Sequence, residues 1–428
     1  MLRYIIIFLA GALGAFEANR GIAVFNDAVR PIVPEYREGR MSHAEFAATT
    51  FGLSFGLVIG FGIPYSLMYT IILVHCLWLG TDIIGIAFPG KPIDDWYKDK
   101  ESLRGAILSA ICGGLYGVLL LAGLQAVVNA ASALPVNIFD AWQNISGPVM
   151  YAFIAFPCVV ITKDYGWKNG LLSLIVVVLV RSIFNKFYPS LADGITLLAG
   201  LLMVMFFAMK DKTPSSGDLS SIFGDRIKNI QKNIGWIAAM GAIYGIACNI
   251  GLLMEGPASL VAVGEGNISG AVPITIARAL SFIPLKGLTS ITTGTFVTDG
   301  LGFTATVGLL APNAFVAGIL GAVVMSAEAY SLVLIAKVFD KFPGFKKSGD
   351  SMRVAMSRLL EIALLVGSMY AAEGMAPGYG YLIVAGLFAM NEYFKKPITR
   401  LAVGPIAMIL VGVLVNILAL VGLFTVAA

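Results

Sequence analysis

The sequence predicts an all-α, polytopic membrane protein with about 14 transmembrane helices (range 12–14), arranged as two inverted seven-helix repeats with interrupted helices. Three observations lead to this fold class: an apolar composition, a series of apolar runs of spanning length, and a one-sided distribution of Lys and Arg. The chain of 428 residues is 58% hydrophobic and 13% charged, whereas soluble domains are about 45–50% apolar and about 25% charged. This composition excludes a soluble globular domain and a disordered chain.

The same composition argues against several functional classes. The four cysteines lie singly in apolar runs, without the paired spacing of a zinc or redox site. Two histidines are too few for a His-rich metal cage, and a net charge of +4 is too weak and dispersed to indicate nucleic-acid binding. We therefore expect no metal, no other cofactor and no nucleic-acid partner.

A window of about 19 residues locates fourteen apolar segments. The predicted spans are 4–26, 46–66, 67–89, 105–130, 145–162, 168–188, 191–209, 235–254, 273–293, 295–311, 313–338, 354–373, 378–394 and 402–424. The first could be a signal peptide, but the repeated apolar runs after it favour a retained helix. Gly, Pro and Thr interrupt 46–89 and 273–311, so these regions are either full spans or re-entrant helices, which membranes accept only inside protein or beside a water-filled cavity.

The basic residues predict the orientation, because cytoplasmic loops carry an excess of Lys and Arg. With the N-terminus outside, 23 of the 29 basic residues fall on the cytoplasmic side. We therefore predict a multi-pass protein of the bacterial inner (plasma) membrane with both termini outside.

A polar stretch in the middle of the chain suggests an internal repeat. Residues 210–233 would be a cytoplasmic linker between a first repeat at 1–209 and a second, inverted repeat at 234–428. The motif at 81–85 (TDIIG) resembles that at 298–302 (TDGLG), and the Lys-rich loop 91–104 corresponds to an uncharged one near 311. An odd number of spans per half inverts the second half, a plan found in many secondary transporters. Chance matching in a glycine-rich sequence is the alternative.

Ionisable residues within apolar spans are the first candidates for a functional site, since each costs about 2.5–3.5 kcal/mol to insert. Asp82 and Asp299 follow threonines in the two similar motifs. Each could contact substrate or ion, or could cap a helix start; a helix start at the membrane midplane would itself suit a polar ligand.

The stretch 281–295 (SFIPLKGLTSITTGT) is the most unusual in the chain. Proline and glycines are expected to break its helix, leaving Thr292, Thr293 and Thr295 as candidate substrate or ion ligands. The alternative is a packed helix whose hydroxyl groups bond back to their own carbonyls. Asn313, ahead of the next predicted span, is also a candidate binding residue.

Four further groups of charges remain. Glu328 and Glu361 are candidates for ion coupling, unless Glu328 pairs with Arg278 and Glu361 pairs with Arg358 or Arg353. Three more residues, Asp27, Arg30 and Arg278, could form ion pairs or a gate. Glu17 and Arg20, three residues apart, are expected to form a pair at a helix end, and His75 is expected to be a packing residue.

Several segments resemble the YhfT family of uncharacterised bacterial inner-membrane proteins. They are 23–34 (AVFNDAVRPIVP), 81–85 (TDIIG), 310–313 (LAPN), 326–328 (SAE) and 361–368 (EIALLVGS). The resemblance covers essentially the whole chain and implies a transporter with no assigned substrate or functional residues. The seven-plus-seven plan is also similar, by fold-level analogy only, to nucleobase and anion transporters.

We therefore predict a secondary active transporter, possibly of the elevator type, that moves a small polar solute by coupling to H+ or Na+ and forms a homodimer in the bilayer. No Walker A loop or other enzyme motif occurs, so we expect no enzymatic activity. The main alternative is the membrane-embedded translocation component of a phosphotransferase-type sugar uptake system, and a membrane enzyme or receptor is a second one.

Overall fold

The computed structural model describes residues 1–25, 41–47, 50–51, 58, 62–90, 95–131, 133–212, 219–299, 301–342, 344–394 and 398–425. These residues form helices joined by short connections and four two-residue strands. The helices are α1 (Leu2–Arg20), α2 (Ile63–Tyr69), α3 (Val74–Ala87), α4 (Lys100–Ala131), α5 (Ile138–Tyr165), α6 (Trp167–Phe187), α7 (Pro189–Lys210), α8 (Leu219–Lys232), α9 (Ile234–Asn249), α10 (Pro257–Gly264), α11 (Ile268–Thr293), α12 (Gly302–Leu310), α13 (Ala314–Lys341), α14 (Gly344–Met375), α15 (Gly380–Tyr393) and α16 (Arg400–Leu420). The strands are β1 (Ala23–Val24), β2 (Ile72–Leu73), β3 (Leu253–Met254) and β4 (Phe296–Val297).

The helices have the length and composition of a membrane protein. Within the described ranges, eight of them are long and apolar enough to cross a bilayer, namely all or part of α1, α4, α5, α6, α7, α13, α14 and α16. Helix α6 exposes most of its apolar side chains, including Leu171, Ile175 and Leu179, which suits contact with lipid rather than water. The chain is thus a helical membrane protein.

The four short strands lie where helices are interrupted. β1 pairs in parallel with β4, and β2 pairs in parallel with β3. The helix before each strand is followed by a residue in the left-handed conformation: Gly21, Thr70, Gly251 and Gly294, respectively. This conformation ends a helix, and the strand pairing then satisfies backbone groups that lipid could not.

The helix ends within 281–295, as expected, but only at Gly294, and Pro284 and Gly287 do not interrupt it. α11 runs without interruption to Thr293 and ends at Gly294. Gly287 serves instead for close packing, because a methyl group there would overlap Ile335 of α13. The Thr293 hydroxyl bonds back to the carbonyl of Thr289 at 2.9 Å, which is the alternative raised above for this stretch.

The helices pack as two bundles. The first bundle contains α1, α3, α4, α9, α12 and α13, and the second contains α5, α6, α7, α14, α15 and α16. Within the first, α1 approaches α4 at Gly11 and Gly113, where a methyl group on either glycine would overlap the carbonyl oxygen of the other. α9 approaches α13 in the same way at Gly241 and Gly321. α11 contacts both bundles and joins them.

Two asparagines make corresponding contacts in the first bundle. Asn19, in α1, donates from Nδ2 to the carbonyls of Gly85 and Phe88, each at 2.9 Å. Asn249, in α9, donates from Nδ2 to the carbonyls of Gly308 at 3.0 Å and Ala311 at 2.9 Å. Each asparagine thus binds the last carbonyls of a short helix that follows a strand, α3 in one case and α12 in the other.

Candidate functional site

The centre of the candidate site is Arg278, which lies within α11 between two carboxylates. Its Nε lies 3.1 Å from Oε1 of Glu255, and its Nη2 donates to Oδ1 of Asp299 at 3.1 Å. Glu255 follows β3 directly and Asp299 lies two residues after β4, so the interruptions that create the strands also deliver the two acids. Glu255 is fully buried and the Arg278 residue is 5% exposed.

Aromatic rings complete the surroundings of the Arg278 guanidinium. Its Cζ lies 4.5 Å from the ring centroid of Phe282 and 5.6 Å from that of Phe153. Such contacts favour a cation that has lost its water. Removing the guanidinium would leave two carboxylates without the cation that lies between them, which is strongly unfavourable. The triad of Arg278, Glu255 and Asp299 is therefore held together tightly.

A cavity opens beside this triad, with about 400 Å³ of empty space that includes the part open to solvent. Arg278, Asp193 and Ser259 are its polar lining residues. Its lining comes from α5 and α7 of the second bundle on one side and from α11 and the start of α10 on the other. Apolar side chains form most of the wall: Met150, Phe153, Ile154, Leu197 and Ile274. A mainly apolar cavity with few polar groups is typical of small-molecule sites.

A second ion pair lies further along α11. Lys286 Nζ contacts Glu328 Oε2, from α13, and also lies 4.6 Å from the ring centroid of Phe296 in β4. Arg278 had been one possible partner of Glu328, and the structure gives Lys286 instead. The reason is spacing: Lys286 is two helical turns beyond Arg278 on α11, at the level where α13 passes.

A smaller cavity, of about 180 Å³, lies in the first bundle. It is lined by Glu17 of α1, Asp82 of α3 and Thr298, which follows β4. Both oxygens of Asp82 accept the backbone N–H of Phe25, at 3.2 and 3.0 Å. The predicted pair of Glu17 with Arg20 is wrong, because Arg20 donates to Asn19 Oδ1 at 2.7 and 3.0 Å and neither Glu17 oxygen has a hydrogen-bond partner among the described residues.

Comparison with known proteins agrees with the resemblance found in the sequence. The family model of YhfT, described as a protein of unknown function, matches residues 3–424. The chain belongs to the YhfT family. Its similarity to the uncharacterised protein YhfT of Escherichia coli (strain K12) amounts to 31% identity over 442 residues, covering 99% of this chain and 98% of that protein. No solved structure matches.

In this YhfT-family chain, the other predicted threonine ligands lie near the β1–β4 pair. Thr295 donates from Oγ1 to the carbonyl of Gly21 at 3.1 Å. Thr293 is buried and accepts the Thr295 N–H at 3.2 Å. Thr292 belongs to α11, but its side chain lies outside the described part of the structure. These contacts hold the two interrupted helices together, which is a structural role.

Of four further predicted residues, two lie away from this site and two fall outside the described residues. Asn313 is exposed and caps α13, accepting the Val316 N–H at 3.0 Å. Glu361 lies 3.3 Å from Arg358 and 3.7 Å from Arg400, so its pairing alternative describes it better than ion coupling. Asp27 and Arg30, the possible gate, fall outside the described residues. The described ranges contain no group of three or more His, Cys, Asp or Glu able to hold a metal ion.

Three functional candidates were missed or misjudged from the sequence: Glu255, Lys286 and Glu17. Glu255 lies immediately after the predicted span 235–254 and before Gly256 and Pro257, outside the spans in which candidates were sought. An acid followed by Gly-Pro after an apolar run was nevertheless a usable signal for an interrupted helix. Glu17 was assigned to Arg20 by spacing alone, which does not show where either side chain points.

Proposed function

We propose that this YhfT-family protein is a secondary active transporter for a small polar solute. The observation that carries the proposal is the cavity beside the Arg278 triad, at the junction of two interrupted helices and between the second bundle and α11. Substrate and ion sites of secondary transporters typically lie where interrupted helices meet. We propose transport rather than catalysis.

The contacts of the first bundle support two inverted repeats. The Asn19 and Asn249 contacts correspond at a separation of 230 residues, and their acceptors Gly85 and Gly308 correspond at 223. β1 would then correspond to β3, and β2 to β4. In this alignment Asp82 and Asp299, which are 217 residues apart, are not counterparts. We propose a first repeat at 1–209, a linker at 210–233 that includes α8, and a second repeat from 234, with 14 spans in all.

The chemistry of the cavity limits the solute. Arg278 and Ser259 offer donors, Asp193 offers acceptors, and the apolar wall would accept a hydrocarbon portion. A solute with a polar, hydrogen-bonding end and a small apolar body matches this lining. Binding would exchange part of the triad's internal contacts for contacts with the solute, so a rearrangement of the triad would accompany each transport cycle.

The position of the cavity suggests how transport proceeds. Because its lining joins α5 and α7 of the second bundle to α10 and α11, a movement of the second bundle relative to these two helices would change which side of the membrane the cavity faces, as in an elevator. We propose that the second bundle is the fixed scaffold, that it holds a homodimer together, and that H+ or Na+ drives the cycle. We further propose insertion in the bacterial inner membrane with both termini outside.

The alternative is a translocation component of a phosphotransferase-type sugar system. That function needs a phosphorylated partner, whereas a secondary transporter works alone with an ion gradient. Uptake by proteoliposomes that contain only this protein would favour the transporter. Uptake that required added phosphorylated protein would favour the alternative.

The first experiment is a thermal-shift screen of small metabolites on the purified protein, because a ligand that binds only the native state raises the melting temperature. The hits are then tested as radiolabelled substrates in proteoliposomes. Arg278→Lys keeps a positive charge but loses the planar fork that contacts both acids, and it should abolish the shift and the uptake. The matched control is Arg400→Lys, which alters an ion pair with Glu392, away from the cavity, whose side chains are 31% and 26% exposed. Equal loss in both variants would refute the role of Arg278.

A further inference from the structure

The smaller cavity of the first bundle has a composition unlike that of the larger one. It joins α1, α3 and α9 to the β1–β4 pair, and its volume of about 180 Å³ is less than half that of the cavity at Arg278. Two of its lining residues, Glu17 and Asp82, are acids that are 1% and 2% exposed. It therefore combines small size with concentrated negative charge.

Glu17 is the most informative residue of this cavity. Neither carboxylate oxygen has a hydrogen-bond partner in the described chain. Burying a charged carboxylate without compensation is among the most costly arrangements in a protein. In a stable fold, such a group calls for something that neutralises it.

The titratable side chains of the neighbouring elements do not supply that neutralisation. On α1 itself, Arg20 donates to Asn19; from α3 come Asp82 and His75, whose ring meets that of Phe25 edge-on. α4 contributes Tyr116, which donates its hydroxyl hydrogen to the Cys76 carbonyl, and α9 contributes Tyr244, packed on Trp78. Among the described residues, none of these side chains is hydrogen-bonded to the Glu17 carboxylate.

We propose that Glu17 and Asp82 bind the coupling cation of the transporter, a single positive charge taken as H+ or Na+. The cavity also contains the oxygens that a dehydrated Na+ would use, since Thr81 and Thr298 contribute hydroxyl groups. Trp78 lines it as well, and its Nε1 has no partner among the described residues. A water bound in the cavity could accept the indole N–H. A larger solute would not fit.

The two cavities are connected through two successive residues of the chain. Thr298 lines the cation cavity and donates to the Val24 carbonyl at 3.3 Å, while Asp299 binds Arg278 beside the solute cavity. Asp82 accepts the N–H of Phe25, directly after β1, so a cation that draws Glu17 and Asp82 together would fix β1 and its partner β4. Asp299, two residues after β4, would then be fixed as well. This role rests on the proposed transport function, but cation binding itself can be measured without transport.

The test measures the melting temperature of purified protein in detergent. The first arm compares NaCl with choline chloride at equal ionic strength, and the second compares mildly acidic with mildly alkaline buffers. The variants are Glu17→Gln and Asp82→Asn, with Glu101→Gln, an exposed residue of α4, as the matched control. Circular dichroism and size-exclusion profiles establish that each variant is folded.

A Na+ site predicts a melting temperature that rises with NaCl in the unmodified protein and in Glu101→Gln, but in neither cavity variant. A proton site predicts no difference between the salts. Instead, because the native state would hold a proton that the unfolded chain releases, the melting temperature falls as pH rises, and Glu17→Gln lacks that fall. Equal responses of Glu17→Gln and Glu101→Gln in both arms would overturn the proposal. Solute uptake with no cation response would overturn only the cation site, whereas a cation response without any solute uptake would overturn only the transport function.

Discussion

The Arg278 triad offers the sharpest stability prediction. Arg278→Met removes the guanidinium and leaves Glu255, which is fully buried, and Asp299, whose side chain is 14% exposed, without the cation that lies 3.1 Å from each. Removing one partner of a buried ion pair costs about 3–5 kcal/mol. Since each 1.4 kcal/mol is a factor of ten, the folding equilibrium should fall by about a hundredfold or more.

The assay is denaturant unfolding in detergent micelles, followed by circular dichroism. Arg181→Met is the control, because its pair with Asp193 is about one-third exposed and such pairs contribute about 0–1 kcal/mol. The double variant Arg278→Met with Glu255→Gln should be more stable than Arg278→Met alone, since it removes the more deeply buried of the two carboxylates that Arg278→Met leaves without the guanidinium. The reasoning fails if Arg278→Met costs no more than Arg181→Met, or if adding Glu255→Gln destabilises the protein further.

Three other predictions concern packing and pairing. Gly113→Ala should destabilise by about 1–3 kcal/mol through overlap with α1, while Gly123→Ala in the same helix, where nothing lies within 4 Å, should be neutral or stabilising; equal unfolding midpoints would contradict this. Lys286→Met should destabilise the protein more than Lys286→Met combined with Glu328→Gln, because the single variant leaves the Glu328 charge without Lys286. The reverse order would show that this ion pair, whose side chains are 9% and 16% exposed, is not shielded from solvent. Asn249→Ala should cost about 1–3 kcal/mol by leaving two carbonyls without their donor, and an unchanged midpoint would argue against that contact.

Composition was sufficient to predict a helical membrane protein, because a chain that folds in lipid needs a higher apolar fraction and a lower charged fraction than one that folds in water. The interruption near Gly294 was also within reach, since Gly and Thr cluster there. Its residue position was not, because the helix continues through Pro284 and Gly287 and stops only where the left-handed Gly294 allows β4 to pair with β1.

The site was only partly predictable for a related reason. Asp299 and Arg278 were recognised as candidates, but their contact depends on a parallel strand pair that joins distant segments, and no local pattern gives that register. Lys286 lies inside the predicted span 273–293 and was not among the candidates, although it is the partner of Glu328. Partner choice between charges on different helices is a tertiary property, so sequence could name the charges but not pair them.

The central claim is that the cavity beside Arg278 faces alternate sides of the membrane. The direct measurement is labelling of Ala258→Cys, a cavity residue at the start of α10, in a variant whose four native cysteines are replaced, using a membrane-impermeant thiol reagent applied from either side of proteoliposomes. Alternating access predicts labelling from both sides, with the balance shifted by solute or by the cation gradient. Labelling from one side only, unchanged by solute and gradient, would contradict the account.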